Sequence, residues 1–201
     1  MQVRLLCLTR GEGGELGEPP LTARANLGRT REQEMRCAAR ELGIHAVTFM
    51  GYVDPAVSTD DETSAPAHNP DELIDQLAAE IRLHSPAVVL THGSNGEYGH
   101  PAHKILYQLT RRAVESMDSK PPLLYSFSAY FSRHGYPRLT NRDDPAHLIV
   151  DVEPVLERVI AAAQCHRTQH ALFVRRKTKR SRRKVTVPEI VLATPLEGVR
   201  R

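Results

Sequence analysis

Two histidines three residues apart are the side chains of this sequence that could most directly perform chemistry. His100 and His103 follow a glycine-rich polar loop that also contains Tyr98. On a helix, residues three apart lie on one face, so the two imidazoles can converge. Imidazole is a frequent metal ligand and a proton carrier near neutral pH. Spacing alone favours neither a metal or catalytic role nor a structural one, since a catalytic zinc needs three protein ligands.

A predicted strand and a predicted helix flank this loop and would position the histidines. Residues 86–90 form a short apolar run rich in β-branched side chains, which predicts a buried strand. After the loop, Pro101 suits the first turn of a helix, and apolar residues then recur at helical spacing. In open α/β sheets, ligands bind in the crevice beyond the carboxyl ends of the strands. The sequence therefore predicts that both histidines lie in such a crevice.

Strand-like and helix-like segments alternate along most of the chain. A capping box at Thr30 and Gln33 predicts the start of the first helix, and Gly43 its end. Asn69 and Pro70 predict the start of the second. The alternation predicts an α/β fold, Rossmann-like, with a mostly parallel sheet and helices on both faces. Other predicted elements are strands at 2–9, 46–50, 122–127 and 148–150, a long loop at 128–145, a helix from 154 to 163 and an added edge strand at 185–192.

Composition fits one domain of ordinary size without a membrane segment. The chain has 201 residues, 40% of them hydrophobic, and no apolar run of membrane-spanning length or signal peptide. Three cysteines without CxxC spacing predict reduced thiols and a cytoplasmic location. Residues 175–184 carry eight positive charges and no negative ones, so the remainder of the chain is net negative although the whole chain has a net charge of +3. We therefore expect a domain over residues 1–174, followed by a basic segment and tail over 175–201.

Five stretches in fixed order resemble one known family. Together they are similar to the LmbE-like, or PIG-L, zinc-dependent N-acetylglucosaminyl deacetylases, and the resemblance extends as far as residues 166–169. It implies an amide hydrolase that removes the N-acetyl group from an N-acetylglucosamine-containing glycoconjugate, with zinc as cofactor. The five stretches are Leu8–Gly17, Arg31–Arg36, Leu42–Gly43, Gly51–Asp54 and Tyr98–His103.

The resemblance also implies roles for single residues. His103 matches the third zinc ligand of the family, and His100 a histidine that stabilises the charged transition state. Tyr98 matches a tyrosine that polarises the acetyl carbonyl or contacts the oxyanion. Arg31 and Asp54 match positions that bind sugar hydroxyls. Their alternative interpretations are a surface charge in the first helical turn for Arg31 and a turn residue for Asp54.

One departure from the family affects the expected activity. The family opens with an Ala-His-Pro-Asp-Asp-Glu motif that supplies two zinc ligands and the general base, whereas Met1 stands where the second strand of the family begins. Residues 67–72 and 60–63 echo this motif but fit helix capping and solvation better. We expect a deacetylase that is inactive as written, or a longer enzyme with a misassigned start. The alternative is a non-catalytic sugar-binding or degenerate homologue. An exposed sheet edge would favour oligomers or poor solubility.

The basic segment at 175–184 allows one further alternative, binding to nucleic acid or anionic lipid. Aromatic residues do not interleave with these charges, and such runs are typically solvated tails. The expected partner is therefore a small-molecule N-acetylglucosamine conjugate, with a homo-oligomer as an option and no nucleic acid.

Overall fold

The chain divides into two units, and each contains a pair of parallel strands. The first comprises Met1–Glu62 and Val152–Pro188, and the second comprises Thr63–Asp151 and Glu189–Arg201. The structure, a computed structural model, describes residues 1–56, 64–127, 129–130 and 141–170, and the backbone of 189–193. The predicted boundary between residues 174 and 175, and the basic segment after it, lie outside the described residues.

The first unit is a parallel strand pair with two helices. Strands β1 (Arg4–Cys7) and β2 (Ala46–Phe49) pair in parallel, with Arg4 opposite Ala46. Helix α1 (Leu27–Leu42) connects them, as a parallel pair requires. It ends at Gly43, which has a φ of +71° that glycine adopts without strain, as predicted. Further along the chain, helix α5 (Leu156–Cys165) belongs to the same unit and packs on α1.

The capping box predicted at Thr30 and Gln33 for α1 is wrong. A short 3-10 turn at Arg24–Asn26 precedes α1, which begins at Leu27 rather than after Thr30. The Thr30 hydroxyl lies inside the helix and donates to the carbonyl oxygen of Asn26 at 3.1 Å. Leu27 has no exposed surface, so the earlier start places a large apolar side chain in the core. Burial therefore outweighed the local capping signal.

The second unit begins with the helix and strand that lead to the histidines. Helix α2 (Pro70–His84) starts where predicted, because the Asn69 side chain accepts hydrogen bonds from the backbone N–H groups of Asp71 and Glu72. This confirms the capping interpretation of residues 67–72, while 60–63 lie outside the described residues. The elements that follow are β3 (Val88–Thr91), α3 (Gly96–Gly99), α4 (Pro101–Glu115) and β4 (Leu123–Ser126).

Strands β3 and β4 pair in parallel, with Val88 opposite Leu123, and α4 makes the connection between them. Helix α4 packs on α2. Their buried side chains form the core of this unit, and they include Leu73, Leu77, Ala78, Leu109, Ala113 and Val114. The predicted α/β architecture with parallel strands and flanking helices is confirmed.

Part of the predicted long loop at 128–145 is strand. Strand β5 (Ala129–Tyr130) pairs in parallel with β6 (Asn141–Asp151), which also pairs antiparallel with β7 (Glu189–Ala193). The β6 sequence begins with charged residues and a proline, which local propensity disfavours in a strand, so its conformation depends on pairing with its neighbours. Strand β7 ends the β5-β6-β7 order, in agreement with the predicted edge strand.

The prediction of three reduced thiols is wrong. Cys37 of α1 and Cys165 of α5 form a disulfide with their Cα atoms 5.7 Å apart. The two cysteines are 128 residues apart, so no spacing motif predicted their pairing, and the packing of α1 on α5 brings them together. Only Cys7 is a free thiol, and its burial raises its pKa to about 11 against the opposing charge of Arg36. The predicted cytoplasmic location rested on reduced cysteines, and the disulfide means that the cysteines no longer support it.

Among the residues that the structure describes, the helices are all too short or too polar to span a bilayer.

Candidate active site

The loop between β3 and α4 holds a glutamate in a strained conformation. Glu97 has φ 61° and ψ −62°, values that side-chain-bearing residues rarely adopt. Two hydrogen bonds hold the turn in place. The Asn95 side chain accepts from the Glu97 backbone N–H at 2.9 Å, and Glu97 Oε1 accepts from the Gly93 N–H at 2.9 Å. Strain of this kind persists where the surroundings over-determine the backbone, and it concentrates at functional sites.

The other carboxylate oxygen of Glu97 joins two histidines. Oε2 accepts from Nδ1 of His92 at 3.0 Å and from Nδ1 of His103 at 2.5 Å. Desolvation alone would raise the pKa of this carboxyl. The bonds from His103, His92 and the Gly93 N–H outweigh it and lower the pKa of Glu97 to about 2. Glu97 is therefore a carboxylate at neutral pH.

Three imidazoles stack beside this carboxylate. The His103 ring lies between His92 and His100, with centroid distances of 3.9 Å and 4.4 Å and interplanar angles of 13° and 23°. The Tyr98 ring meets both His100 and His103 edge-on at 5.7 Å and is 68% exposed. The structure thus brings together the three residues that the sequence predicted for this loop.

His100 differs from its neighbours in its surroundings. Desolvation lowers its pKa, and the nearby His103 and His92 lower it further against the opposing charge of Glu97. Its Nδ1 atom is buried and has no hydrogen-bond partner among the described residues. His100 therefore favours the neutral form, and its Nδ1 atom makes no hydrogen bond to the described residues.

His92, Glu97 and His103 are the described residues that could hold a metal ion. One ligand atom from each lies within 4.8 Å of the others, and imidazole with carboxylate suits zinc. No pattern in the sequence had pointed to His92 or Glu97 as site residues. Both lie in the loop that sequence analysis identified, but the backbone turn that aims the Glu97 carboxylate leaves no spacing pattern.

Arg31, in the first unit, lies against the glycine-rich loop that follows β1. Its Nη2 donates to the Glu15 carbonyl oxygen at 3.0 Å, and a Cβ atom added to Gly14 would lie 2.4 Å from Nη1. Burial lowers the pKa of Arg31, opposed by Glu34, Asp54 and Glu15. Its Nε is buried without a partner among the described residues. Arg31 therefore makes contacts that a free surface charge would lack, and its sugar-binding role stays a prediction.

A cleft of about 450 Å³ opens in the same unit, and Asp54 lies in its lining. The Asp54 backbone N–H donates to Glu12 Oε2 at 3.1 Å. Within the cleft, Arg10 Nε pairs with Glu32 Oε2 at 2.7 Å. Three arginines and three acidic residues line the cleft, a balanced set of donors and acceptors that suits a hydroxyl-rich ligand; they are Arg10, Arg24, Arg29, Glu12, Glu32 and Asp54.

Solved structures share the fold. The 4-carboxy-2-hydroxymuconate hydratase GalB from Pseudomonas putida KT2440 matches with a TM-score of 0.60 at 20% identity, over 96% of this chain and 83% of that one. The N,N'-diacetylchitobiose deacetylase from Pyrococcus horikoshii matches with a TM-score of 0.59 at 18% identity, over 84% of this chain and 60% of that one. At these identities the likeness concerns the fold alone, because one fold hosts many chemistries.

Sequence comparison is more specific. A 1D-myo-inositol 2-acetamido-2-deoxy-alpha-D-glucopyranoside deacetylase from Catenulispora acidiphila is 33% identical over 131 residues, which are 57% of this chain and 37% of that protein. This chain spans 37 to 44% of the length of three such curated relatives. Residues 1–114 match the family model of PIG-L, described as GlcNAc-PI de-N-acetylase. The match covers more than half of the sequence, and the chain belongs to the PIG-L family.

Proposed function

We propose that this chain is part of a hydrolase that removes the N-acetyl group of an N-acetylglucosamine-containing glycoconjugate. The observation that carries the proposal is the cluster of Tyr98, His100 and His103 at the carboxyl end of β3, in a chain of the PIG-L family. Deacetylases of small N-acetylglucosamine conjugates among its relatives support the substrate class. The reaction splits the amide with water and yields acetate and a free amine.

Zinc is the proposed cofactor, and His103 the residue that binds it. The chemistry of His103 supports this choice, because imidazole is a ligand that zinc accepts and a neighbouring carboxylate, Glu97, favours a cation. When bound, zinc supplies Lewis-acid polarisation of the acetyl carbonyl and brings the pKa of a coordinated water to about 7.

The remaining residues would bind the substrate and stabilise charge. Tyr98, whose side chain is exposed, donates a hydrogen bond from its hydroxyl to the oxyanion that forms on the acetyl carbonyl. His100 stabilises the same charged transition state through a ring N–H. A preorganised donor of this kind is worth about 3 kcal/mol. Arg31 and Asp54 contact sugar hydroxyls, and the charged cleft that Asp54 lines supports this role.

Amine release tests the proposal directly. The purified chain, and a longer version that carries the family's Ala-His-Pro-Asp-Asp-Glu motif ahead of β1, are incubated with ZnCl₂ and either N-acetylglucosaminyl inositol or N,N'-diacetylchitobiose, and primary amine and acetate are measured. We expect both products in equal amounts from the longer version, none from its His103→Ala variant, and none from the chain as written, which lacks the ligands and the base of that motif. His45→Ala removes an exposed imidazole of the first unit and should retain full activity. No amine from the longer version with zinc present, or full activity of its His103→Ala variant, would overturn the proposal.

The cleft in the first unit supports a second candidate, sugar binding without hydrolysis. Calorimetry with the same conjugates would then give binding that Asp54→Asn weakens, with no amine release by either version. A cytoplasmic location and a homo-oligomer stay predictions. Binding of nucleic acid by residues 175–184, which lie outside the described residues, is the disfavoured alternative; salt-insensitive or absent retention on heparin would exclude it.

A further inference from the structure

Glu97 faces the same nitrogen of two histidines. Its Oε2 is 3.0 Å from His92 Nδ1 and 2.5 Å from His103 Nδ1. Since a carboxylate at neutral pH can only accept, each imidazole must donate from Nδ1. A neutral imidazole carries one N–H, so its other nitrogen, Nε2, then holds a lone pair. The carboxylate therefore selects one tautomer of each ring.

The two Nδ1 atoms of His92 and His103 could instead bind one metal ion, but the geometry of the stack does not suit this arrangement. The rings of His92 and His103 are within 13° of parallel, with centroids 3.9 Å apart. A nitrogen lone pair lies in its ring plane, whereas stacked planes are separated by roughly 3.5 Å, the contact distance of carbon atoms. An ion 2.0–2.1 Å from both nitrogens would lie far out of each plane. Hydrogen bonds tolerate this misalignment better than metal bonds do.

We propose that Glu97 is a positioning residue that holds His103 in the Nδ1–H tautomer, so that Nε2 of His103 is the atom that binds a divalent metal. The metal part of this inference rests on the proposed function, whereas the tautomer does not. Ligating histidines commonly donate their second ring nitrogen to a carboxylate, which fixes the tautomer and makes the ligating nitrogen more basic. Here the carboxylate comes from a residue six positions before the histidine.

The loop is built to hold this carboxylate still. Oε1 accepts a hydrogen bond from the Gly93 N–H, and the Asn95 side chain accepts one from the Glu97 N–H, so Glu97 keeps its strained backbone conformation. The Glu97 side chain is only 12% exposed, which limits competition from water for its oxygens. His92 also donates to Glu97 Oε2, and its ring meets the Phe127 ring edge-on at 5.1 Å.

Imidazole ¹⁵N NMR of the metal-free protein measures the tautomer without any reference to activity. At about pH 8.5, above the ordinary titration of histidine, we expect His103 and His92 to show the Nδ1–H pattern. In Glu97→Gln, His103 should shift toward Nε2–H, and zinc affinity by competition titration should fall about 10–100-fold. Glu115→Gln is the matched control, because it neutralises an exposed carboxylate of α4 paired with Arg111.

A second variant keeps the inference testable if Glu97→Gln does not fold. His92→Phe retains a flat ring in the stack and leaves Glu97 to His103 alone, so His103 should keep the Nδ1–H tautomer. An Nε2–H tautomer of His103 in the wild type would overturn the inference, as would unchanged zinc affinity in folded Glu97→Gln. Glu97-dependent zinc binding without amine release by the longer version would support it while rejecting the proposed deacetylase function.

Discussion

Glu34 accepts two hydrogen bonds from Thr168, one from the backbone N–H at 2.8 Å and one from the hydroxyl at 2.6 Å. Both residues are buried, and 134 positions separate them in the sequence. The contact joins α1 to the short 3-10 turn Arg167–Gln169 that follows α5. A buried carboxylate without these donors would lose the solvation that it has in water, so the two hydrogen bonds stabilise Glu34 and tie the turn at Arg167–Gln169 to α1.

Thr168→Val should therefore destabilise the first unit. The substitution keeps the shape of the side chain and removes the hydroxyl donor to Glu34. Loss of a hydrogen bond to a charged group costs about 1.5–3 kcal/mol, measured as the free energy of unfolding in urea. The control is Thr48→Val on the exposed face of β2, which should change stability by about 0.5 kcal/mol or less. Equal effects of the two variants would contradict the prediction.

The disulfide makes a second prediction for stability. Cys165→Ser should lower the free energy of unfolding by about 2–4 kcal/mol, because the bond between Cys37 and Cys165 closes a long loop and restricts the unfolded chain. Dithiothreitol should lower the melting temperature of the wild type but leave that of Cys165→Ser unchanged. A wild type that does not respond to the reductant would mean that the bond adds no stability.

Cys7 should react slowly in the folded protein. Burial raises its pKa to about 11 from the model-compound value of 9.0, which reduces its thiolate fraction at pH 8 on the order of a hundredfold. Alkylation by iodoacetamide, followed by mass spectrometry, should be slow in the native state and fast in urea. Fast native alkylation at Cys7 would show that the thiol is accessible and easily ionised.

Acid should weaken the second unit through Glu97. Its folded pKa of about 2 lies below the ordinary 4.5, so the unfolded state binds more protons between these values. The stabilisation from Glu97 is complete above about pH 4.5 and is lost as the pH falls toward 2. Urea unfolding of the wild type should show this loss, and Glu97→Gln should show less of it. Glu115→Gln should follow the wild-type pH profile.

Tyr98→Phe tests the proposed oxyanion contact. Removal of one such donor should lower kcat about 10²–10³-fold while KM for the conjugate changes little, because the contact forms in the transition state. Steady-state amine release by the longer version that carries the family's motif measures both constants. A change confined to KM would instead assign Tyr98 to substrate binding.

Sequence analysis predicted the features that are encoded locally. The Asn69 cap, the Gly43 terminus and the strand–loop–helix unit around His100 each depend on a few neighbouring residues, and all three are confirmed. The predicted burial of the strand is wrong, because Val88 and Leu90 of β3 are about half exposed. The capping box at Thr30 failed because a buried residue three positions earlier set the helix start.

The features that it missed depend on distant or conformational relationships. The charged beginning of β6 forms a strand only because neighbouring strands supply its hydrogen bonds. The disulfide depends on the packing of α1 against α5. Glu97 was missed because its role follows from a positive φ angle, which a glutamate in a glycine-rich loop does not reveal.

The imidazole stack and its carboxylate come from one stretch of sequence, from His92 to His103. Closing so short a segment costs little chain entropy, so the contacts within the cluster are local in sequence. We expect it to form as soon as β3 and α4 are in place, early in folding, and before the remote contact between α1 and residues 167–169 closes.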